Sequence, residues 1–278
     1  MIKKFSGFIL FLFLLISFKL FAQVGIGTGT PNGALDVNSS SLGFVYPVVQ
    51  LSGLNIQTIV NPNATNLVVG TTVYNTTTVN SGTNSVYPGI YFWDGSVWIP
   101  QFNKNDYQRF EQEYDLDPAS NYGDEIVYFV NNTFRPKYNG KYKVKLTVHY
   151  GGGEANVPQG PSQYVNFVAA TGKYKFTFNG VLSTFDVKSY SANNYDTDLN
   201  GGATKNYVNQ FRQTSLTREE TLNANTNYTF SLTFNQEDLP GIVNLGTYGS
   251  PNFDIRALGY IFIDEILKCT VEISYVGN

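Results

Sequence analysis

Apolar and polar residues alternate through most of the second half of the chain. From about residue 122 the segments EIVYFV, KYKVKLTVHY, QYVNFVA, KYKFTFNG, VLSTFDVKSY, NYTFSLTFN and CTVEISYV repeat with a period of two, which predicts strands with one buried face. The Asn-Gly pairs at 139–140 and 179–180 predict tight turns with positive φ. No segment carries an apolar stripe of helical period. Residues 122–278 are therefore predicted to form an antiparallel β-sandwich of about eight to ten strands.

Residues 23–102 have a different pattern. Their apolar runs are short, such as GFVYPVVQL and NLVVGTTVYN, and Asp36 and Asp94 are their only charged residues. Strands this short cannot each bury a face, so we expect a small β module that needs a neighbour or a partner chain. The polar residues 103–121 are predicted to be a linker or a short helix. The predicted fold class is all-β, with a small N-terminal module followed by the sandwich.

Residues 1–22 have the pattern of a signal peptide. Two lysines precede an apolar run from Phe5 to Phe18, which is short for a bilayer span, and small Ala22 precedes Gln23. We predict cleavage at Ala22/Gln23; an uncleaved N-terminal anchor is the alternative. No second long apolar run follows, so no membrane span is expected in the mature chain. The expected location is secreted, extracellular or on the outer cell surface.

Charge and cysteine content narrow the function classes. Cleavage would leave 15 basic and 21 acidic residues, a net charge of −6, and the basic residues are scattered, so nucleic-acid binding is not expected. Cys269 is the only cysteine, so no disulfide framework supports the fold. Stability must come from the core or from oligomerisation.

Three alternating glycines at Gly25, Gly27 and Gly29 invite a comparison with phosphate-binding loops. A dinucleotide fingerprint needs a strand before its glycines and a helix after them. Here the glycines follow the cleavage site and precede a Pro-Asn-Gly turn at 31–33. We interpret them as positions where backbones pack closely.

Four phrases occur in order across the N-terminal module: VGIGTGTPNGALDV, GFVYP, GTTVYN and GIYFWDGSVW. This series resembles the N-terminal module of secreted flavobacterial surface or tail-fibre-like proteins. The resemblance implies a structural module that assembles with other copies, and it implies no activity.

The second half has its own resemblance. Phe134, Gly140, Tyr142, Val144 and Leu146 have a spacing similar to the later half of the C1q/TNF-like jelly-roll signature, with Val144 and Leu146 in place of the usual aromatic residues. The resemblance implies a jelly-roll-like sandwich, a compact homotrimer and a binding role rather than catalysis. A surface glycan or a protein is the expected ligand.

One loop has the start of a calcium-binding pattern. Asp196, Asp198, Asn200 and Gly201 match DxDxNG, in which oxygen ligands alternate around a glycine turn. The twelfth position is Tyr207 rather than Glu, which excludes a helix–loop–helix calcium hand. A looser Ca²⁺ site and an acidic solvated loop remain the two interpretations.

Trp93 and Trp98 flank the Asp-Gly turn at 94–95. Two tryptophans beside a turn can stack on a sugar, which makes them candidate ligand-binding residues. The alternative is a packing pair within a hairpin.

The sequence has no clear catalytic constellation. His149 is the only histidine, Cys269 lies within a predicted strand, and no GxSxG motif occurs. Acidic pairs occur at 115/117, 219/220 and 264/265, but a glycosidase needs two carboxyl groups placed across a bond. We therefore predict a non-catalytic, secreted structural or adhesive protein; a carbohydrate-binding module or a polysaccharide-acting enzyme is the alternative.

Overall fold

The computed structural model describes residues 23–63, 66–118, 123–158, 164–195, 204–237, 240–243, 251–252, 254, 257–263 and 267–277. The regular elements of this part are β-strands, apart from a 3-10 turn at Gly82–Asn84. The all-β prediction is confirmed. The chain divides into two compact units, of which the first ends at Pro47 and the second begins at Val48.

The first unit contains one pair of short strands. Strands β1 (Val24–Ile26) and β2 (Leu35–Val37) run parallel, with Gly25 opposite Asp36. Three residues per strand give too little surface for a core of their own.

The second unit opens with a four-stranded sheet in the order β3-β4-β5-β6, which we call the module. Its strands are β3 (Val48–Val49), β4 (Thr72–Asn75), β5 (Gly89–Trp93) and β6 (Trp98–Pro100). The β3–β4 pair is parallel and the other two pairs are antiparallel. The sheet covers a small core of buried side chains, namely Leu51, Leu67, Val73, Val86, Tyr91, Trp93 and Trp98.

Two larger sheets form the sandwich. Sheet I has the order β14-β10-β16-β7, and its strands are β7 (Tyr107–Glu111), β10 (Gly140–Tyr150), β14 (Arg212–Leu222) and β16 (Thr270–Gly277). Sheet II has the order β13-β12-β11-β15-β8, and its strands are β8 (Glu125–Ile126), β11 (Val165–Phe178), β12 (Val181–Tyr195), β13 (Thr204–Gln210) and β15 (Tyr228–Gln236). A short strand β9 (Thr133–Phe134) also pairs with β15.

The alternating residues of both sheets meet in one apolar core. Strand β10 contributes Tyr142, Val144, Leu146, Val148 and Tyr150, and β11 and β15 contribute mostly aromatic residues from the other side. The period-two pattern therefore placed the inward faces of β10 and β15 correctly, whereas Val165 and Phe167 of β11 face solvent. Tyr174 and Phe234, with ring centroids 4.6 Å apart, connect the neighbouring strands β11 and β15. Phe110 and Phe230, with ring centroids 5.1 Å apart, connect sheet I to sheet II.

Two segments predicted as separate strands form one. Residues 165–169 of the first segment and 173–178 of the second lie together in β11, which continues through Thr171 and Gly172 without a turn. A Cβ at Gly172 would lie 2.0 Å from the Phe234 ring. This glycine therefore makes room for an aromatic side chain on β15, and it does not mark a turn.

The two Asn-Gly pairs behave differently. Asn179 and Gly180 have φ values of 49° and 77° and join the antiparallel strands β11 and β12, as a hairpin turn requires. Gly140 also has a positive φ, of 143°, but it begins β10, whose partners are β14 and β16. The predicted turn at Asn139-Gly140 thus joins no hairpin.

The structure corrects the predicted linker. Within residues 103–121, Tyr107–Glu111 is strand β7, which pairs with β16 and buries Phe110 in the sandwich core. Its polar side chains lie on the solvent face, and this misled the interpretation from composition. The predicted domain boundary at residue 102 stays a prediction. The two compact units divide after Pro47.

Candidate assembly region

The glycine-rich start of the chain serves backbone packing. The amide of Val24 donates to the Ala34 carbonyl and the amide of Asn38 to the Ile26 carbonyl, both at 2.9 Å. A Cβ at Gly27 would lie 2.1 Å from the Asn38 carbonyl oxygen, so only glycine allows this approach. This geometry agrees with the close-packing interpretation of the glycines.

The same region exposes apolar side chains. Ile26 and Leu35 are each 56% exposed, and Val45 is 82% exposed. The other exposed apolar side chains between 23 and 47 are Val24, Val37, Leu42 and Phe44. An apolar surface of this kind is characteristic of a region that is buried by another chain.

The two tryptophans lie inside the module. Trp93 is 2% exposed and Trp98 is fully buried, with their rings 5.3 Å apart and tilted by 59°. The Trp98 Nε1–H donates to the Ile56 carbonyl at 3.0 Å. Between them, Asp94 accepts hydrogen bonds from the amides of Val97 and Ser96, which lower its pKa. In this arrangement neither ring offers a face to a sugar, and the geometry favours the alternative of a packing pair.

Polar and aromatic groups join the module to the sandwich. The Tyr87 hydroxyl accepts from the Asn139 amide at 2.8 Å, and the Asn139 side chain donates to Ser85 Oγ at 2.8 Å. Lys104 Nζ lies over the rings of Tyr87 and Tyr275, 5.3 and 5.7 Å from their centroids. Partial burial lowers the Lys104 pKa. Cation–π contacts and hydrogen bonds at this junction fix the module on one end of the sandwich.

Asp106 is the buried anchor of the junction. Its Oδ2 accepts from the Lys137 amide at 2.8 Å and from the Tyr142 hydroxyl at 2.9 Å. Its carbonyl accepts from the Tyr275 amide. Burial, followed by the charge of Asp106, raises the pKa of Tyr142. Sequence analysis missed this residue because it lies in the polar stretch assigned to the linker.

The structure brings His149, Cys269 and Tyr174 together in the sandwich. The His149 Nδ1 lies 3.9 Å from the Cys269 Sγ, and the Tyr174 hydroxyl donates to the His149 carbonyl at 2.6 Å. His149 lies on β10, an interior strand of sheet I, and Phe211 packs against the imidazole. All three side chains are buried.

The electrostatics of this trio oppose nucleophilic chemistry. Burial lowers the His149 pKa to about 4, although a hydrogen bond with the Phe262 backbone acts in the opposite direction. Burial raises the Cys269 pKa to about 12. A reactive cysteine requires a thiolate, which is favoured by a nearby cation and solvent access. A neutral thiol beside a neutral imidazole in the core is a packing arrangement.

The acidic pairs in the described residues have separate structural surroundings. Glu219 and Glu220 are successive residues of β14 and point to opposite faces, and Glu220 pairs with Arg218 at 2.9 Å. Asp115 accepts from the Ile263 amide at 2.7 Å, and burial, with a smaller effect of the Asp115 charge, raises the Asp117 pKa. Residues 264 and 265 lie outside the described part.

The proposed calcium ligands Asp196, Asp198 and Asn200 also lie outside the described residues. Among the residues that are described, no group of three or more His, Cys, Asp and Glu side chains is arranged to hold a metal ion. In the same residues no helix has the length and apolar character needed to cross a bilayer.

Comparisons with known proteins bear on the N-terminal part. A search of curated proteins finds no match to the chain. Residues 25–112 match the family model described as "Phage tail like trimerisation region". The match spans the β1–β2 pair, the whole module and strand β7, and it agrees with the tail-fibre-like resemblance of the four phrases. Residues 25–112 are thus similar to a trimerisation region, which supports a structural, homo-oligomeric role.

Proposed function

We propose that this protein is a secreted, non-catalytic homotrimer in which residues 23–102 hold three copies together and the sandwich presents a binding face. The observation that carries the proposal is the coincidence of the trimerisation match at residues 25–112 with exposed apolar side chains on strands too short to bury them. Three copies around one axis can bury such side chains against each other, and closed symmetry is the usual outcome for soluble homo-oligomers.

The order of strands in the sandwich supports the jelly-roll and C1q/TNF-like part of the proposal. The chain passes repeatedly between sheets I and II, and the first strand, β7, lies beside the last, β16. Antiparallel double sheets with crossed connections of this kind are typical of jelly rolls. A trimer is consistent with both resemblances.

The signal-peptide pattern of residues 1–22 supports export, and a surface location follows from the tail-fibre-like resemblance. A protein outside the cell that lacks disulfides gains stability from assembly, because subunit association favours the folded state by mass action. The buried state of His149 and Cys269 supports a non-catalytic role.

Light scattering of the chain that begins at Gln23 tests the assembly. We expect a mass three times that of one chain at micromolar concentration. Ile26→Asp places a charge among the exposed apolar residues and should yield monomers, because an unpaired charge is costly to bury. Leu182→Asp, a matched change at an exposed sandwich residue, should remain trimeric. A monomeric parent chain, or a trimer unaffected by Ile26→Asp, would contradict the proposal.

A further inference from the structure

The solvent face of sheet II carries an aromatic platform at the end that is distant from the Asn179-Gly180 hairpin. Phe167 of β11, Ala192 of β12 and Tyr207 of β13 are directly paired across the three strands, so their side chains share one face. Phe167 is 65% exposed and Tyr207 is 52% exposed. The core-facing residues of β11 and β12 alternate with these positions. Large side chains here therefore have no role in the core.

The platform has a trough between its two outer rings. Phe167 and Tyr207 lie two strands apart, about 10 Å at the usual strand spacing, and small Ala192 lies between them. Tyr190 belongs to the next row, and its ring stacks on Phe167 at 5.5 Å and 17°. The guanidinium of Arg212 lies over the Tyr190 ring, 5.7 Å from its centroid.

Charge distinguishes this face from the rest of an acidic chain. The paired rows from Val165–Asn194 to Thr171–Lys188 contain no Asp or Glu on this face. Arg212 and Lys188 supply hydrogen-bond donors beside the rings, and Arg212 Nη1 lies 3.4 Å from the Tyr190 hydroxyl. The surface therefore combines exposed apolar rings with hydrogen-bond donors, which suits a ligand that has both C–H faces and many acceptor oxygens.

We propose that this platform, formed by Phe167, Tyr190, Ala192 and Tyr207, binds an extended polysaccharide chain. The apolar face of a β-linked pyranose stacks on an aromatic ring, and its hydroxyl or carboxylate oxygens accept from Arg212 and Lys188. This inference rests on one component of the proposed function, the binding face of the sandwich, and names its ligand class. It does not depend on the trimer, because one copy of the chain contains the whole platform.

Size and charge argue against the other occupants. A few partly exposed side chains offer roughly 400 Å², well below the roughly 800 Å² per partner of a stable protein interface. Nucleic-acid bases also stack on aromatic rings, but their phosphates require a strongly basic groove, and the chain has a net charge of −3. A saccharide needs neither a large area nor a strongly basic surface.

Affinity electrophoresis of the chain that begins at Gln23 tests the site. One gel contains soluble xylan, a neutral β-linked polymer, and the other contains alginate, an anionic one. Comparing the two gels shows whether the site prefers a neutral or an anionic polysaccharide. We expect retardation in at least one gel. Phe167→Ala and Tyr207→Ala should each weaken binding at least about tenfold, while Phe167→Tyr should retain it. Leu182→Ala, at an exposed apolar residue on the same face near the hairpin, is the matched control.

Mass measurements on the same variants separate this inference from the proposed trimer. Phe167→Ala should have the same mass as the parent chain, whether that is a trimer or not. No retardation in either gel, or retardation that both alanine variants retain, would overturn the polysaccharide site. A fall in mass for Phe167→Ala would instead identify the platform as a subunit contact and would also overturn it. A monomeric parent that binds polysaccharide would refute only the trimer.

Discussion

The N-terminal region and the sandwich solve the same problem of burial in different ways. Sandwich strands of up to 15 residues alternate regularly, and their apolar side chains fill one core between two sheets. Strands in residues 23–102 have two to five residues, and many of their apolar side chains remain exposed. A strand must be long enough to present several residues on one face before it can bury that face within its own chain. The sandwich meets this condition, and the N-terminal region depends on other contacts.

Removal of the N-terminal region should have the largest effect, because it separates the region that needs other contacts from the region that does not. A chain that begins at Asn103 keeps Asp106 and β7, so the sandwich should fold, but its mass should be that of one chain. The fragment 23–102 alone should aggregate or fail to fold, because it loses the junction with Tyr138 and Asn139. Light scattering and circular dichroism check both products. A well-folded monomeric 23–102 fragment would show that the region is self-sufficient.

Trp98→Ala should affect the module far more than the sandwich. It deletes a fully buried ring and its hydrogen bond to Ile56, and such truncations cost about 4 kcal/mol. The two tryptophans of the chain both lie in the module, so fluorescence of the remaining Trp93 reports module unfolding, while circular dichroism is dominated by the sandwich. Trp98→Phe should lose less stability. Equal shifts of both signals would mean that the two regions unfold as one unit.

His149 should make sandwich stability depend on pH. Above pH 6.5 the imidazole is neutral in the folded and unfolded states. Between pH 6.5 and about 4 only the unfolded chain binds the proton, because burial lowers the folded-state pKa to about 4. The free energy of unfolding should therefore fall with decreasing pH, by about 3 kcal/mol in total.

Urea unfolding at pH 7.5, 5.5 and 4.5 measures this loss. His149 is the only histidine, so His149→Gln should lack this part of the pH dependence. The carboxylates are the same in both proteins and make the same contribution to the pH dependence of each. Identical pH profiles for the parent and the variant would contradict the assignment.

Asp106→Ala should loosen the segment that leads from the module into β7, and so weaken the coupling between the two regions. The change removes the acceptor of the Lys137 amide and one of the two acceptors of the Tyr142 hydroxyl, which keeps the Tyr138 carbonyl, at a cost of about 2 kcal/mol. Thermal unfolding followed by tryptophan fluorescence and by circular dichroism should then separate into two transitions. Asp94→Ala, at an exposed turn within the module, is the control and should leave the transitions together.

Calcium should have the smallest effect. If the Asp196–Gly201 loop binds Ca²⁺ weakly, ten times the dissociation constant adds about 1.4 kcal/mol of stability. The melting temperature should rise by a few degrees in millimolar calcium, and Asp198→Ala should abolish the rise. A melting temperature that does not respond to calcium in the parent chain ends this idea.

The sequence by itself determined the all-β class, the inward faces of strands β10 and β15 and the turn at Asn179-Gly180. Alternation is a local property, and a hairpin turn needs only two residues with positive φ. The four N-terminal phrases likewise pointed to an assembling module, which the trimerisation match at residues 25–112 supports. These features depend on neighbouring residues in the chain, so they can be deduced without a structure.

Only the tertiary structure decided the features that depend on distant residues. Gly172 lies within a strand because Phe234, more than sixty residues later, occupies the space a side chain would need. His149 is buried because Phe211 covers a central strand, and Asp106 is an anchor because Tyr142 reaches it. The aromatic platform exists because register aligns Phe167, Ala192 and Tyr207 across three strands. Pairing register and packing bring together residues far apart in the chain, and a local pattern does not specify which distant residues meet.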